Sequence, residues 1–330
     1  MLTLAACGGG DGRTALVVYS PHGSDMLEAF EKRFEQAHPD VDVQAVDMGS
    51  QEVLDRLRSE RANPQADVWW GAPANTFEDA ARDSLLERFV PTWAAAVPAE
   101  AKSEGGLWHG TYLTPEVIAY NTQAIPASEV PRDWDDVLDP KWKGKVLIRD
   151  PMASGTMRTI FGMMIDRSVR ATGDTAQGFQ WLRRLDAHTK DYVLNPTLLY
   201  QKLARQEGLI TLWDMPDIDA LQGKYPIAYV FPRSGTPLLV DAVAVVRGAP
   251  NAKRAQEFAE FVGGTPAVLA AARDFARLPA RTDIPADSLP ERLRQARAQI
   301  KAEPMDWARL QQRSPEWMRH WDEHVRGKGR

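Results

Sequence analysis

One cysteine in 330 residues, Cys7, excludes an intrachain disulfide and leaves no thiol for catalysis or for a cysteine metal cluster deeper in the fold. No stretch approaches the ~18 consecutive apolar residues of a membrane-spanning helix. Positive charge is not in excess: 40 Lys and Arg stand against 45 Asp and Glu, so binding of nucleic acid through phosphate contacts is disfavoured. There is no Gly-x-Ser-x-Gly, no Ser-x-x-Lys, no phosphate loop ending in Gly-Lys-Ser/Thr and no dinucleotide fingerprint, which leaves nucleophilic and nucleotide-driven enzymes without support. What remains is an ordinary folded composition, 44% apolar and 26% charged, long enough for two domains.

The lone cysteine matters by position. Leu4-Ala5-Ala6-Cys7 followed by Gly8-Gly9-Gly10-Asp11-Gly12 resembles a bacterial lipobox, small residues before a cysteine that is lipidated and becomes the mature N-terminus, with the glycines as a flexible tether. Met1 to Ala6 is shorter than a signal peptide and lacks a basic n-region, so the reading frame is expected to begin further upstream. Residues 1–12 are therefore set apart from the fold.

Beyond the tether, Ala15 to Tyr19 is a short β-branched run suited to a buried parallel strand. Ser20 to Asp25 supplies turn and capping residues, and Leu27, Phe30 and Phe34 then recur at helical spacing. Val41–Val46, a helix over Gln51–Arg61 and Ala66–Gly71 continue the alternation that predicts a parallel sheet covered by helices. Leu113 to Asn121 reads as extended, and Lys145–Ile148 starts a second series. It continues through a helix after Thr156, helices near 176–185 and 198–206, the strand Leu209–Leu212 and a helix after Asp214. Leu238–Val246 is a long apolar strand able to carry the chain back, and Lys253 onward is mostly helical. The expected architecture is α/β, two lobes joined by crossing strands: 13–114 and 245–330 form the first lobe, with the C-terminal helices, and 115–244 the second.

Three segments carry candidate binding chemistry. Asp150-Pro151-Met152-Ala153-Ser154-Gly155-Thr156 precedes a helix, so Ser154, Gly155 and Thr156 offer hydroxyls and free backbone N–H groups at the positive end of its dipole. Ser20, His22 and Gly23 occupy the analogous place after the first strand, where open α/β sheets bind ligands. Two such termini facing each other would clamp an anion. Trp213-Asp214-Met215-Pro216 follows a strand directly; Asp214 is either a helix N-cap or a reader of ligand hydroxyls or amine, with Trp213 over an apolar face. Asp241, inside Leu238–Val246, is costly if buried unpaired, so a ligand, a partner or a bulge must account for it. In Trp69-Trp70 adjacent side chains point to opposite faces, so at most one ring, taken as Trp70, reaches the cleft.

The one catalytic-looking pattern is His320-Trp321-Asp322-Glu323-His324, in which two histidines share a helix face as a zinc pair would, with Glu323 as a possible base. Six residues follow His324, too few for the downstream acidic ligand, so a terminal surface helix is expected and a zinc hydrolase is kept as a remote alternative.

Taken in order, the lipobox, Val17-Val18-Tyr19-Ser20, Ala66-Asp67-Val68-Trp69, Val117-Ile118-Ala119-Tyr120-Asn121, Asp150-Pro151 with Ser154-Gly155-Thr156, Phe231-Pro232 with Gly235-Thr236-Pro237, Ala249-Pro250-Asn251 and Arg277-Leu278-Pro279-Ala280-Arg281 resemble family 1 extracellular solute-binding proteins. The likeness spans Ala15 to about Asp283 and is strongest to the branch of ferric-iron and hexose-phosphate binders of ABC importers. It implies a type II periplasmic-binding fold with a hinge, no enzymatic activity and no cofactor. It further implies delivery to a permease and its ATPase, a monomer, and a place in the periplasm or on the outer envelope face held by a lipid anchor alone. Iron binders of that branch carry two adjacent tyrosines where this chain has Trp213 and Asp214, and none of its seven tyrosines adjoins another. The resemblance therefore favours a small organic anion, a phosphorylated sugar, phosphonate or similar oxyanion, with ferric iron as the alternative. Arg233-Ser234 stands where hexose-phosphate binders carry an acidic residue, which points to a more anionic ligand.

Overall fold

The computed structural model describes residues 12–329, so Cys7 and its tether lie outside the described residues. The chain opens with β1 (Thr14–Ser20), α1 (Ser24–Ala37), β2 (Val41–Asp47), α2 (Ser50–Ser59), β3 (Val68–Pro73), α3 (Ala74–Arg82) and the short β4 (Leu86–Glu87). Met26, Leu27, Phe30 and Phe34 form the buried stripe of α1, as their spacing predicts. β1 pairs in parallel with β2 on one side and β3 on the other. Trp69 and Trp70 are both fully buried on opposite faces of β3. Trp69 stacks on Phe77 at 4.0 Å, while Trp70 packs with Phe30 and Phe258.

β5 (His109–Asn121) crosses between the two halves. Its first residues pair with β10 (Leu238–Val246), and from Glu116 onward it pairs with β8 (Ile210–Asp214) and, further along, β9 (Ile227–Val230). β6 (Val146–Arg149) runs parallel to β7 (Thr189–Val193) and to β8, covered by α4 (Gly155–Thr172), α5 (Ala176–His188), α6 (Pro196–Ala204) and α7 (Met215–Leu221). The strand order is β2-β1-β3-β10-β5-β8-β6-β7. β10 returns antiparallel along β3, followed by α8 (Ala252–Gly263), α9 (Thr265–Phe275), the short β11 (Leu278–Pro279) beside β5, α10 (Glu291–Gln299) and α11 (Trp307–His324). This is the type II periplasmic-binding architecture that the sequence led us to expect.

Strands β7 and β9 escaped the sequence pattern because each is short and only partly buried, so neither shows a clean apolar alternation. The last helix packs against both α4 and α3: Trp321 meets Phe161 edge-on at 5.3 Å and Arg309 pairs with the fully buried Asp166 at 2.5 Å. Arg326 then reaches Asp150 at 2.5 Å. Charged pairs between distant segments leave no periodic signal in sequence.

Candidate functional site

Both walls of a single large cleft are made from the C-terminal ends of parallel strands. On one side stand the loops after β1, β2 and β3, with His22, Gly23, Asp47, Gly49 and Pro73; on the other, the loops after β6, β7 and β8, with Arg149, Ser154, Gly155, Thr156, Trp213 and Asp214. The volume is about 1060 Å³. Strand ends converge here because parallel strands leave their helix-starting loops at one edge of the sheet. The floor is Thr114 of β5, Asp241 of β10 and Arg277 just before β11.

At one end of the cleft the walls touch. A Cβ on Gly155 would sit 3.0 Å from the Pro73 ring, and one on Gly49 would sit 3.0 Å from the Ala153 carbonyl and 3.8 Å from an Arg149 guanidinium nitrogen. Ser154 caps α4, its Oγ accepting from the Met157 N–H at 3.3 Å, which leaves the hydroxyl proton free to donate. Arg149 is 6% exposed, donates to the Val193 carbonyl and lines the cleft together with Ser154, Gly155 and Thr156.

The other end is acidic. Asp214 caps α7, accepting from the Asp217 N–H at 3.0 Å, so the two readings offered for it hold together: it is an N-cap and it lines the cleft. Asp217 accepts from the Tyr200 hydroxyl at 2.6 Å and pairs with Arg277 at 3.0 Å. Asp241 sits at a break in register with both β3 and β5, accepts from the Thr114 hydroxyl at 2.6 Å and lies 3.9 Å from Arg277. A bulge and a partner therefore both account for it. Burial pushes Asp214 well above the usual carboxylate range, with the Asp217 charge adding to the effect. Burial also raises Asp241, against the pull of Arg277. Beneath them Glu116 is fully buried, neither carboxyl oxygen has a hydrogen-bond partner, and burial followed by the Asp214 and Asp241 charges drives it well above the usual carboxylate range. The Tyr112 hydroxyl, the Arg277 Nε and the His22 Nε2 are likewise buried without partners. Native structures seldom leave such groups unmatched, so this gathering marks a place built to meet a ligand or water.

His22 is held neutral, pushed well down first by burial and then by Arg277. Its ring lies over Gly71, whose φ of +90° and lack of a side chain are both required, since a Cβ there would come within 2.7 Å of Nε2. Gly23, at φ +80°, turns the chain into α1.

Of the expected site residues, His22, Gly23, Ser154, Gly155, Thr156, Trp213, Asp214 and Asp241 line the cleft. Ser20 and Trp70 do not. Ser20 is fully buried, its Oγ accepting from the His22 N–H at 3.2 Å, and Trp70 lies one layer back, touching His22 edge-on at 4.7 Å. The β3 pleat sends each tryptophan into a core, so neither reaches the cleft. Trp213 turns its indole N–H to Tyr200 and Asp217. Arg149, Asp217 and Arg277 were not singled out, although Arg277 opens one of the quoted motifs and Asp217 stands three residues after a cap. Arg233, taken as a sign of a more anionic ligand, lines a separate surface groove with Arg132 and Tyr229 and is absent from the cleft. His320 lies against the Phe179 ring at 4.4 Å, and among the described residues no group of three or more His, Cys, Asp or Glu is placed to hold a metal ion.

Comparison with known proteins agrees with this geometry. The sequence model of one family, bacterial extracellular solute-binding protein, matches residues 29–302. The probable ABC transporter periplasmic-binding protein y4fP of Sinorhizobium fredii is 25% identical over 325 residues, covering 94% of this chain and 86% of the relative. Iron uptake protein A1 of Synechocystis is 25% identical over 76% of this chain and 71% of its own length. Among solved structures, the periplasmic binding protein AfuA of Actinobacillus pleuropneumoniae, with fructose-6-phosphate bound, superimposes with a TM-score of 0.84 at 24% identity, covering 96% of this chain and 100% of that one.

Proposed function

This chain belongs to the bacterial extracellular solute-binding proteins, and we propose that within that family it captures a small organic anion with a phosphoryl, phosphonyl or similar oxyanion head and passes it to the permease of an ABC importer. The observation that carries the reading is that the buried Arg149 guanidinium and the start of the 18-residue helix α4 line the same cleft, both beside Gly49 of the opposite wall, inside a volume of ligand size. Ser154 and Thr156 hydroxyls and the backbone N–H groups after them surround the head, and the loop His22–Gly23 closes from the other wall. A lipid on Cys7 tethers the protein to the membrane, to be checked by the mass of the mature N-terminus.

Ferric iron is the second reading, and Tyr200 speaks against it. Its hydroxyl is given to Asp217, and burial together with the carboxylates raises the phenol well above its ordinary value, the reverse of what an iron phenolate needs. The test has two parts. Native mass spectrometry of gently purified protein identifies what it retains. Calorimetry with glucose 6-phosphate then compares wild type with the Ser154→Ala, Thr156→Ala double variant. Two hydroxyl bonds to a charged acceptor, each worth roughly 1.5 to 3 kcal/mol, correspond to a loss of about two to four decades of affinity. Unchanged affinity in the double variant, or a strong visible band on adding ferric citrate, overturns the reading.

A further inference from the structure

We infer that the ligand carries a cationic nitrogen as well as its oxyanion, and that Asp47, Asp214, Asp217 and Asp241 form the subsite that receives it; this rests on the oxyanion reading above. The starting point is a mismatch. Eight carboxyl and five cationic side chains line the cleft, and the burial and mutual repulsion that raise Asp214 and Asp241 are what a cation beside them would relieve. The excess is not spread evenly. Asp219 is paired with Arg292 at 3.0 Å and Asp274 with Arg273 at 2.8 Å, toward the rim. Among the described residues, Arg277 is the one cation within ion-pair distance of Asp217 and Asp241, and no cation is within that distance of Asp214 or Asp47.

These carboxylates act on one another across the cleft. Asp47 comes from the first wall, and burial raises it despite the Gly23 N–H, with Asp217 of the second wall pushing the same way. Asp214 and Asp241 are each only 6% exposed, so water does little to relieve them. A second, independent sign of a missing partner lies under the same spot. Glu116 and Tyr112 share the sheet face of Asp214 and Asp241, since Glu116 pairs in register with Asp214 and Tyr112 with Asp241. Both are fully buried and their polar ends have no partner. Hydroxyls of a neutral sugar would supply hydrogen bonds but leave the charge imbalance and remove more water. An ammonium supplies donors and cancels charge together.

The geometry thus assigns the two ends of the cleft to the two ends of a zwitterion. The amine end stands beside Arg277, which holds Asp217 and lies 3.9 Å from Asp241; both Asp217 oxygens are already engaged, so Asp214 and Asp241, each with one oxygen not used in these contacts, would make the direct bonds to the ammonium. The test uses two matched pairs of probes differing only in the amine: phosphoethanolamine against ethyl phosphate, and glucosamine 6-phosphate against glucose 6-phosphate. In calorimetry the amine-bearing member of at least one pair should bind wild type tenfold or more tightly than its partner. Asp241→Asn should shrink that ratio to within about threefold. Asp47→Asn, at the end of β2 where the residue reaches solvent, should shrink it too. If both members of each pair bind alike, the cationic subsite is overturned while the oxyanion reading stands. If the amines win but neither variant changes the ratio, the assignment to these carboxylates is overturned. If none of the four phosphate esters binds a folded protein, the oxyanion reading itself fails and takes this inference with it.

Discussion

At the Ser154 end of the cleft the binding groups are backbone N–H groups, hydroxyls and one buried guanidinium; at the Asp241 end they are carboxylates gathered round a single guanidinium. The helix start at the first end is nearly free of cost, because a helix must begin somewhere and its first N–H groups lack partners in any case, and only the buried Arg149 adds a desolvation cost there. The second is expensive, since each carboxylate held out of water without full compensation destabilises the fold by several kcal/mol. Coulomb repulsion compounds it: two like charges 4 Å apart cost about 4 kcal/mol at an effective dielectric constant of about 20. A fold has no structural reason to collect such groups, so the acidic end reports on the ligand more sharply than the helix terminus does.

The comparison can be broken at Arg277. Replacing it with leucine strands Asp217 and Asp241, and the apo protein should lose about 3 to 5 kcal/mol in urea unfolding. At the opposite end Ser154→Ala removes only the cap of α4, a loss of about 1 kcal/mol. Equal losses at the two ends would erase the distinction drawn between them.

Glu116 sharpens it. Its folded value lies well above the ordinary 4.5, so folding takes up a proton in the range between the two. The stability it contributes is fully present below about pH 4.5 and is lost as pH rises toward the folded value, at no more than about 1.4 kcal/mol per pH unit. Glu116→Gln cannot lose a proton. Its melting temperature should therefore gain on wild type as pH is raised from 4.5 toward the folded value, and a constant difference would show that Glu116 is already ionised in the folded protein.

The smallest effect is expected outside both ends. His320→Ala and His324→Ala, on the terminal helix, should leave ligand affinity unchanged and stability within about 0.5 kcal/mol. Stoichiometric zinc that disappears in either variant would revive the hydrolase alternative.

Much of the architecture was legible from local pattern. α1 declared itself by Leu27, Phe30 and Phe34, the first strand by its β-branched run, and the alternation of strands and helices by turn residues between them. Helix caps were legible for the same reason: Ser154 and Asp214 act on N–H groups three residues away, and a three-residue relation is visible in a sequence. The acidic end was only half visible. Asp241 stood out because a charge interrupts an apolar strand, whereas Arg277, which holds it, lies 36 positions later on another element.

By itself, then, the sequence determined the fold class, the order of most elements and the two loops that line the cleft, because these follow from spacing, capping and turn chemistry within a few residues. Only the tertiary structure decided that Trp70 belongs to the core, that α11 rests on α4, and that carboxylates from β2, β8, α7 and β10 line one cleft, with Asp217 and Asp241 sharing one guanidinium. Those outcomes depend on which faces and segments become neighbours. Charge and burial act through space, and their sum at a point is set by residues that the chain keeps far apart.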